Sequence, residues 1–196
     1  MDLGTEQPAR DPRGDATDRD LATVAQRGDR EAFDTLVERY ADRLFRFLRM
    51  RALSESVAED LVQDTLVQCW RSLARFDPTR SFSSWLFKLG ANLATSSYRR
   101  GRRDPILVAE DRPAGPDPAA VVLLDDARNN LWDVVHAHLP PEARASLWLF
   151  YGESKSAAEI GEILGKSEGA VRVLLLRART RLAGILQRDA LSLETR

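Results

Sequence analysis

The stretch SAAEIGEILGKSEGAVRVLLLRARTRL, residues 156–182, predicts two helices joined by a turn of three residues. Ser156 with Glu159 three positions later is the capping-box pattern that begins a helix, and apolar residues follow at helical spacing. Gly165 predicts the end of that helix because glycine reaches positive φ at little cost. Ser167 predicts the N-cap of the second helix. A short helix, a tight glycine-containing turn and a capped second helix together indicate a helix-turn-helix unit.

The second of these helices has two different sides. Its inner side is an apolar stripe at spacings of three and four, formed by Val171, Leu175, Ala178, Leu182 and Ile185. Its outer side carries Arg172, Val173, Leu176, Arg179 and Thr180. Arginines suit phosphates, and the N-terminal turns of such a helix reach base edges in the major groove of DNA. The pattern favours a DNA-binding unit over a helical hairpin with a solvated basic side.

Composition bounds the class of protein. The chain has 196 residues, enough for one domain or two small ones. Its 29 basic and 30 acidic residues nearly cancel but are segregated along the chain, so the net charge of -1 argues neither for nor against nucleic acid. A single cysteine, Cys69, excludes a disulfide within the chain and favours a buried thiol in a reducing cytoplasm. The sequence lacks the apolar run of a membrane span and the apolar centre of a signal peptide.

Helical periodicity predicts an all-α chain of two small helical domains joined by a flexible proline-rich linker, the second containing the helix-turn-helix. In the first domain, Ser56 with Glu59 forms a capping-box pattern at the start of a long helix. Pro78 breaks the pattern before the next helix. The predicted boundaries are a disordered leader at 1–17, the first domain at 18–103, the linker at 104–118, the second domain at 119–188 and a tail at 189–196.

The first domain has an acidic segment followed by an aromatic and basic one. SESVAEDLVQDT, residues 54–65, has four acidic residues and no basic one, which by itself describes a solvated helix side. Residues 76–103 interleave aromatic with small polar residues and end in four arginines. We expect Phe82 and Trp85 in the core. The segment is either core with a solvated tail or a surface whose arginines contact phosphates and whose loop holds an unpaired base.

These residues match a known pattern. AEDLVQDTLVQCWRSLARFDPTRSFSSWLFKLGANLA, residues 58–94, resembles the promoter-melting domain of extracytoplasmic-function sigma factors, the small two-domain sigma subunits of bacterial RNA polymerase. The acidic-x-x-Gln-acidic run, the SFxxWL motif and the segment Ala91-Asn92-Leu93-Ala94 occur in the family's order. Residues 139–182 look like the same family's domain for the promoter -35 element. Both matches around a linker are more specific than either alone.

The resemblance implies a role for each surface. Asp60, Gln63 and Asp64 would bind the clamp helices of core RNA polymerase. The loop at residues 76–83, with Asn92 behind it, would capture a base flipped out of the -10 element. The arginines between residues 99 and 103 would hold the adjacent phosphates. The implied -10 residues are Phe76, Asp77, Ser81, Ser83, Asn92, Arg99, Arg100, Arg102 and Arg103. The implied -35 residues are Ser167, Gly169, Ala170, Arg172, Val173, Leu176, Arg177 and Arg179.

The partners implied are core RNA polymerase, promoter DNA and an anti-sigma factor, with no membrane insertion, no cofactor and no catalysis by the chain itself. No metal site is expected, because there is one cysteine and His136 and His138 lie on different faces of one helix. Two other functions stay open. A stand-alone helix-turn-helix regulator would leave the motif of the first domain unexplained, whereas a sigma-like interaction protein would bind regulators without initiating transcription.

The recognition helix departs from the family pattern. Val173, Leu174 and Leu176 are apolar where the family has hydrogen-bonding side chains, and the helical phase places all three on the outer side. One interpretation is that the helix contacts thymine methyl groups and reads DNA shape, with arginines on phosphates. The other is that a protein covers this apolar surface.

Overall fold

The computed structural model describes residues 17–52, 54–103 and 125–194. Within these ranges the chain forms eight α-helices and no strand, which confirms the all-α prediction. The helices are α1 (Asp18–Ala25), α2 (Arg30–Arg49), α3 (Glu55–Ser72), α4 (Phe82–Arg103), α5 (Asp125–His138), α6 (Pro141–Leu147), α7 (Ala157–Leu164) and α8 (Glu168–Glu194). The predicted linker, and all but the last residue of the predicted leader, lie outside the described residues. Across the described ranges, no helix is long and apolar enough to cross a membrane.

Helices α1 to α4 form the first domain around one apolar core. Leu36, Leu44 and Phe47 recur along one side of α2 and are buried. Phe47 meets Phe87 of α4 edge to face, with ring centroids 5.2 Å apart. Cys69 is buried in the same core, as predicted, and burial raises the pKa of its thiol to about 12. The thiol is therefore protonated and packs as a small apolar side chain.

Helix α3 begins two residues earlier than its capping-box pattern predicted. Ser54 is the N-cap, because its backbone is extended and its hydroxyl accepts a hydrogen bond from the Val57 amide at 3.3 Å. The Ser56 hydroxyl contacts the Ser54 hydroxyl at 3.0 Å and does not cap the helix. Both Ser54 and Ser56 could cap the helix, and Ser54 does so because its backbone has the extended conformation of an N-cap.

The helix-turn-helix of the second domain forms as predicted. The Ser156 hydroxyl accepts a hydrogen bond from the Glu159 amide at 3.2 Å, and the Glu159 carboxylate accepts one from the Ser156 amide at 2.9 Å, which completes the capping box. Gly165 ends α7 in the left-handed conformation with φ of 67°. Ser167 caps α8 by accepting a hydrogen bond from the Ala170 amide at 3.2 Å. Both helix ends are thus specified by local sequence.

Helix α8 confirms the predicted inner stripe but not every predicted outer residue. Val171, Leu175, Ala178 and Ile185 are buried, and Leu182 packs partly buried against the core. Leu174 also packs partly buried against this core, so its assignment to the outer side is wrong. Leu174 lies at the edge of the buried side of α8, whereas Val173 is exposed on the outer side. The backbone of α8 continues to Glu194, past the predicted end of the domain at residue 188.

The angle between α7 and α8 depends on a close backbone contact at Gly161. A Cβ atom at this position would lie 2.6 Å from the carbonyl oxygen of Lys166, which belongs to the turn. The Lys166 amide donates a hydrogen bond to the Gly161 carbonyl at 2.8 Å, so the turn is held against α7. A backbone carbonyl cannot rotate away as a flexible side chain can, and any side chain here must push the turn outward.

We therefore predict that Gly161→Ala destabilises the fold by about 1–3 kcal/mol, the usual cost of overpacking. Gly184→Ala is the matched control, because a Cβ atom there meets nothing within 4 Å and α8 continues past it. Replacing a helical glycine by alanine stabilises by roughly 0.5–1 kcal/mol. Urea unfolding of both variants checks the contrast, and equal stability of the two would contradict the close contact.

Candidate polymerase and promoter interfaces

The acidic residues of α3 lie together on its outer face. Asp60, Gln63 and Asp64 are all exposed, while Leu61 and Thr65 on the other face are buried. Positions three and four apart are neighbours on a helix surface, so the two carboxylates and the amide form one patch. The patch is exposed to solvent over about one turn of α3.

The loop between α3 and α4 is supported from beneath by aromatic rings. Phe76 is buried, packing edge to face on Phe82 with centroids 5.6 Å apart and against Trp85 at 4.8 Å. Phe82 is buried as predicted, whereas Trp85 is half-buried. Phe76, one of the predicted -10 residues, therefore lies beneath the loop surface. Its ring fixes the start of the loop.

Helix α1 holds the loop backbone, a role that the sequence did not suggest. The Gln26 side-chain amide donates hydrogen bonds to the carbonyls of Leu73 at 2.8 Å and Phe76 at 2.6 Å. The Arg19 guanidinium donates to the Pro78 carbonyl at 2.8 Å. Gln26 and Phe76 are separated by 50 positions of sequence, so no local pattern could show this contact.

The tip of the loop is an ordered turn. The Asp77 carboxylate accepts hydrogen bonds from the Thr79 amide at 2.9 Å and from its hydroxyl at 2.8 Å. Both bonds lower the pKa of Asp77, so the exposed carboxyl is ionised. The fixed carboxylate can accept further hydrogen bonds, as from an exocyclic amino group of a base.

The second domain covers the end of this loop. The Lys155 ammonium donates hydrogen bonds to the hydroxyls of Ser83 at 2.7 Å and Ser81 at 3.3 Å. The Ser84 hydroxyl donates to the Glu159 carboxylate at 3.4 Å. Ser83 is buried by this contact and by its own domain. Two of the predicted -10 residues, Ser81 and Ser83, are therefore hydrogen-bonded by one side chain of the second domain, Lys155.

An ion pair with a buried carboxylate and a partly exposed guanidinium joins the domains at the same contact. The Arg43 guanidinium on α2 forms two hydrogen bonds to the Glu153 carboxylate, which precedes α7. The Glu153 side chain is 1% exposed, while that of Arg43 is 42% exposed and stacks on the Tyr40 ring at 4.6 Å. Sequence reasoning missed Arg43, Glu153 and Lys155, because a charge pair formed across two domains leaves no local signal.

Further along α4, Asn92 and Arg99 are exposed at positions seven apart, which share one face of the helix. The predicted phosphate contacts of Arg100, Arg102 and Arg103 concern side chains outside the described part of the structure; their backbone continues α4. Asn92 lies nine positions after Ser83, about half a turn round α4, so the two face different sides of the helix.

The outer side of α8 is exposed from its first turn onward. Ser167, Gly169 and Ala170 are exposed at its N-terminus. The predicted residues Arg172, Val173, Leu176, Arg177 and Arg179 are exposed along the helix. Arg172 pairs with Glu168 one turn before it. A helix N-terminus with exposed arginines carries the positive charge that phosphate binding requires.

Arg179 also has a contact within the domain that the sequence did not predict. Its guanidinium lies over the rings of Phe150 at 4.9 Å and Tyr151 at 5.4 Å, in the π-helical turn Trp148–Gly152 that follows α6. The stacked, exposed guanidinium is held in one position, which suits a directed contact to a phosphate.

The described residues contain no group of three potential metal ligands. His136 is half-buried and His138 is exposed at the end of α5. Burial and the nearby Arg144 lower the pKa of His136, which is therefore neutral in the fold at neutral pH. The two histidines do not form a site.

Comparison with known proteins agrees with this geometry. The family model for sigma-70 region 2 matches residues 36–104, and the model for sigma-70 region 4 matches residues 130–182. The first match contains α3, the loop and α4, and the second contains the helix-turn-helix. Both candidate surfaces therefore fall inside recognised sigma regions.

Similar proteins extend the match to most of the chain. The RNA polymerase sigma factor CnrH of Cupriavidus metallidurans is 33% identical over 189 residues, covering 88% of this chain and 96% of CnrH. The structure of CnrH in complex with the cytosolic domain of CnrY has a TM-score of 0.63 and covers 88% of this chain and 98% of that one at 30% identity. The sigma factor RpoE in complex with the anti-sigma factor NepR from Bartonella quintana has a TM-score of 0.65 at 25% identity, covering 80% and 98%.

Sigma factors of this family are non-enzymatic initiation factors. Region 2, region 4 and full-length similarity occur together, in order, on an all-α chain whose two domains present an acidic patch and a basic helix-turn-helix. The chain therefore belongs to the extracytoplasmic-function group of sigma-70 factors and is a promoter-recognising sigma factor of RNA polymerase.

Proposed function

We propose that three surfaces of the chain have separate binding roles in transcription initiation. The acidic patch of α3 binds core RNA polymerase, the loop before α4 with the exposed face of α4 binds the -10 element, and α8 binds the -35 element. The observation that supports this most strongly is the separation of charge: the acidic patch and the basic helix lie in different domains. The chain itself performs no catalysis and works in the cytoplasm with the polymerase.

The polymerase contact depends on the carboxylates of Asp60 and Asp64. Both are exposed, and Gln63 between them adds an amide that can donate and accept hydrogen bonds. Opposite charge across an interface directs encounter and fixes register more than it adds affinity. We infer that this patch sets the position of the first domain on the polymerase.

Replacing both acidic residues, Asp60→Ala with Asp64→Ala, should weaken binding to core polymerase by about tenfold, mainly through slower association. The control is Asp34→Ala with Glu38→Ala, which removes the same charge from α2. Association kinetics of each variant with immobilised core polymerase check this. If the α3 variant associates as fast as the control variant, the proposed role of the patch fails.

The -10 surface is built on a rigid frame. Phe76 anchors the loop from within, so we assign it a supporting role rather than contact with a base. Asp77, Ser81, Ser83 and Asn92 supply polar groups for a flipped base, whose extrusion costs a few kcal/mol that the pocket must offset. Ser81 and Ser83 are bound by Lys155 in this arrangement. We infer that the helix-turn-helix domain has to move away before single-stranded promoter DNA reaches them.

A closed arrangement of the two domains predicts how the free chain behaves. Glu153→Ala with Lys155→Ala removes the Arg43–Glu153 pair and the hydrogen bonds of Lys155 to the first domain without changing the net charge, and leaves the Arg80–Glu162 pair of 3.6 Å between the domains in place. The variant should bind a single strand carrying the -10 sequence about threefold more tightly or better, because a larger fraction of molecules is open.

The matched control for that experiment is Glu142→Ala with Lys166→Ala, which breaks an ion pair of 2.9 Å inside the second domain. It should leave affinity for the single strand unchanged. Fluorescence anisotropy measures both variants on the same oligonucleotide. Tighter binding by the control as well, or by neither variant, would show that the domain contact does not restrict access.

The -35 surface is the exposed side of α8. Its arginines neutralise phosphates and set the register, while the residues of its first turns face the base edges. Ser167 and Gly169 place the helix N-terminus against the backbone of the DNA, where its amides and dipole favour an anion. The arrangement gives a general electrostatic affinity that falls with salt.

Arg172→Ala should weaken promoter binding of the holoenzyme to all promoters alike and reduce the slope of log affinity against log salt by about 1. The physical reason is that the variant makes one phosphate contact fewer, so one counterion fewer is released from the DNA on binding. Arg27→Ala, which removes an arginine of the first domain, is the control for the same change in charge. An unchanged salt slope for Arg172→Ala would rule out a phosphate contact there.

We also propose that an anti-sigma factor regulates the chain. The support is the pair of structurally similar sigma factors, one solved with CnrY and one with the anti-sigma factor NepR. The alternatives have less support. A stand-alone helix-turn-helix regulator would not explain the presence of region 2. A sigma-like interaction protein would not explain a basic recognition helix.

A further inference from the structure

The recognition helix carries an apolar stripe on the side that faces away from the protein. Gly169, Val173, Leu176 and Thr180 follow one another at spacings of four, three and four, which places them on one face of α8. Val173 is 47% exposed and Leu176 is 64% exposed. The buried stripe that begins at Val171 lies on the opposite face. Packing within the domain core therefore does not account for these two side chains.

The polar residue of the stripe uses its donor inside the helix. The Thr180 hydroxyl donates a hydrogen bond to the Leu176 carbonyl at 3.1 Å. Its donor is therefore not available to an outside partner while that bond is kept. The face therefore offers no free hydrogen-bond donor from these side chains, because Val173 and Leu176 carry none and Thr180 uses its own.

Gly169 leaves the first turn of α8 open to a close approach. A Cβ atom there would meet nothing within 4 Å, and its φ is not in the left-handed region, so neither packing nor backbone conformation requires glycine. A helical glycine costs roughly 1 kcal/mol relative to alanine. The position is open at the first turn of α8, where the absence of a side chain lets a partner reach the helix backbone.

Charge identifies the partner. Arg172 and Arg179 flank the stripe on one side, and Arg177 and Arg181 flank it on the other, as the helical angle of each position requires. All four arginines are exposed. Residues 166–183 contain five basic residues and one acidic residue. An apolar stripe between two rows of arginine matches the major groove of DNA, which has base edges along its floor and phosphates along both rims.

Thymine is the base whose edge suits such a stripe. In the major groove it presents a C5-methyl group, whereas cytosine, adenine and guanine present hydrogen-bonding groups and no methyl. We propose that Val173 and Leu176 recognise the C5-methyl groups of thymines in the -35 element. This rests on the proposed binding of α8 in the -35 major groove and specifies which chemical group the helix selects there.

The test removes the methyl groups and nothing else. Run-off transcription first identifies a promoter that the holoenzyme uses. The DNA of this promoter is then synthesised with deoxyuridine in place of each thymine of the -35 element, which keeps base pairing and every hydrogen-bonding atom. Holoenzyme should bind it about fourfold more weakly for each contacted methyl group, the factor that corresponds to burial of one CH₂ or CH₃. Deoxyuridine placed in the spacer of the same promoter should have no effect.

The side chains are tested by a double-mutant comparison. Val173→Ala with Leu176→Ala should bind the thymine promoter more weakly and should no longer distinguish thymine from deoxyuridine, because the lost contact is the same one. Leu186→Ala is the control, since it removes another exposed leucine from the same helix beyond the helix-turn-helix. It should keep the full discrimination of the parent.

The outcomes separate this inference from the function on which it rests. If the parent holoenzyme binds the thymine promoter no more tightly than the deoxyuridine promoter, methyl recognition is wrong. A -35 element without thymine in the bases contacted by α8 would overturn methyl recognition in the same way. If the parent does not bind any promoter through α8, as shown by footprinting, the proposed -35 role fails first.

Discussion

The close contact between Gly161 and the carbonyl of Lys166 is the constraint on which the second domain depends. Because position 161 has no side chain, the turn lies directly against α7, and Gly165 reverses the chain in the left-handed conformation. The Ser167 cap then starts α8 in a fixed direction. Once that direction is fixed, Val171 faces the core and Val173 faces outward. Which residues of α8 face outward therefore depends on the backbone geometry of the preceding turn.

The first domain uses a different device to present its surface. Its loop has no secondary structure of its own between the 3₁₀ turn Leu73–Arg75 and α4, so it depends on support from both sides. Buried Phe76 holds it from the core, and Gln26 holds its backbone from α1. A rigid frame of this kind reduces the entropy that is lost when a loop binds a flipped base. Lys155 of the other domain binds the hydroxyls of Ser81 and Ser83, two groups that we propose for the -10 contact.

The sequence was sufficient for features that local interactions determine. The Ser156–Glu159 capping box, the turn at Gly165 and the inner stripe of α8 each involve residues a few positions apart, and the structure confirms them. It was insufficient where distant residues decide. Phe76 lies in the loop as predicted, but the sequence did not indicate that its ring is buried against Phe82 of α4. The pair of Arg43 and Glu153 spans 110 positions and two domains, and no periodicity could have indicated it.

The acidic patch, the loop and the recognition helix have to act together on one polymerase if transcription is to start at defined promoters. Run-off transcription on a genomic library, with purified chain and core polymerase lacking any other sigma factor, measures this directly. We predict transcripts that begin downstream of a shared pair of sequence elements and that disappear when the chain is left out. Binding of the chain to DNA without such transcripts would contradict this central claim.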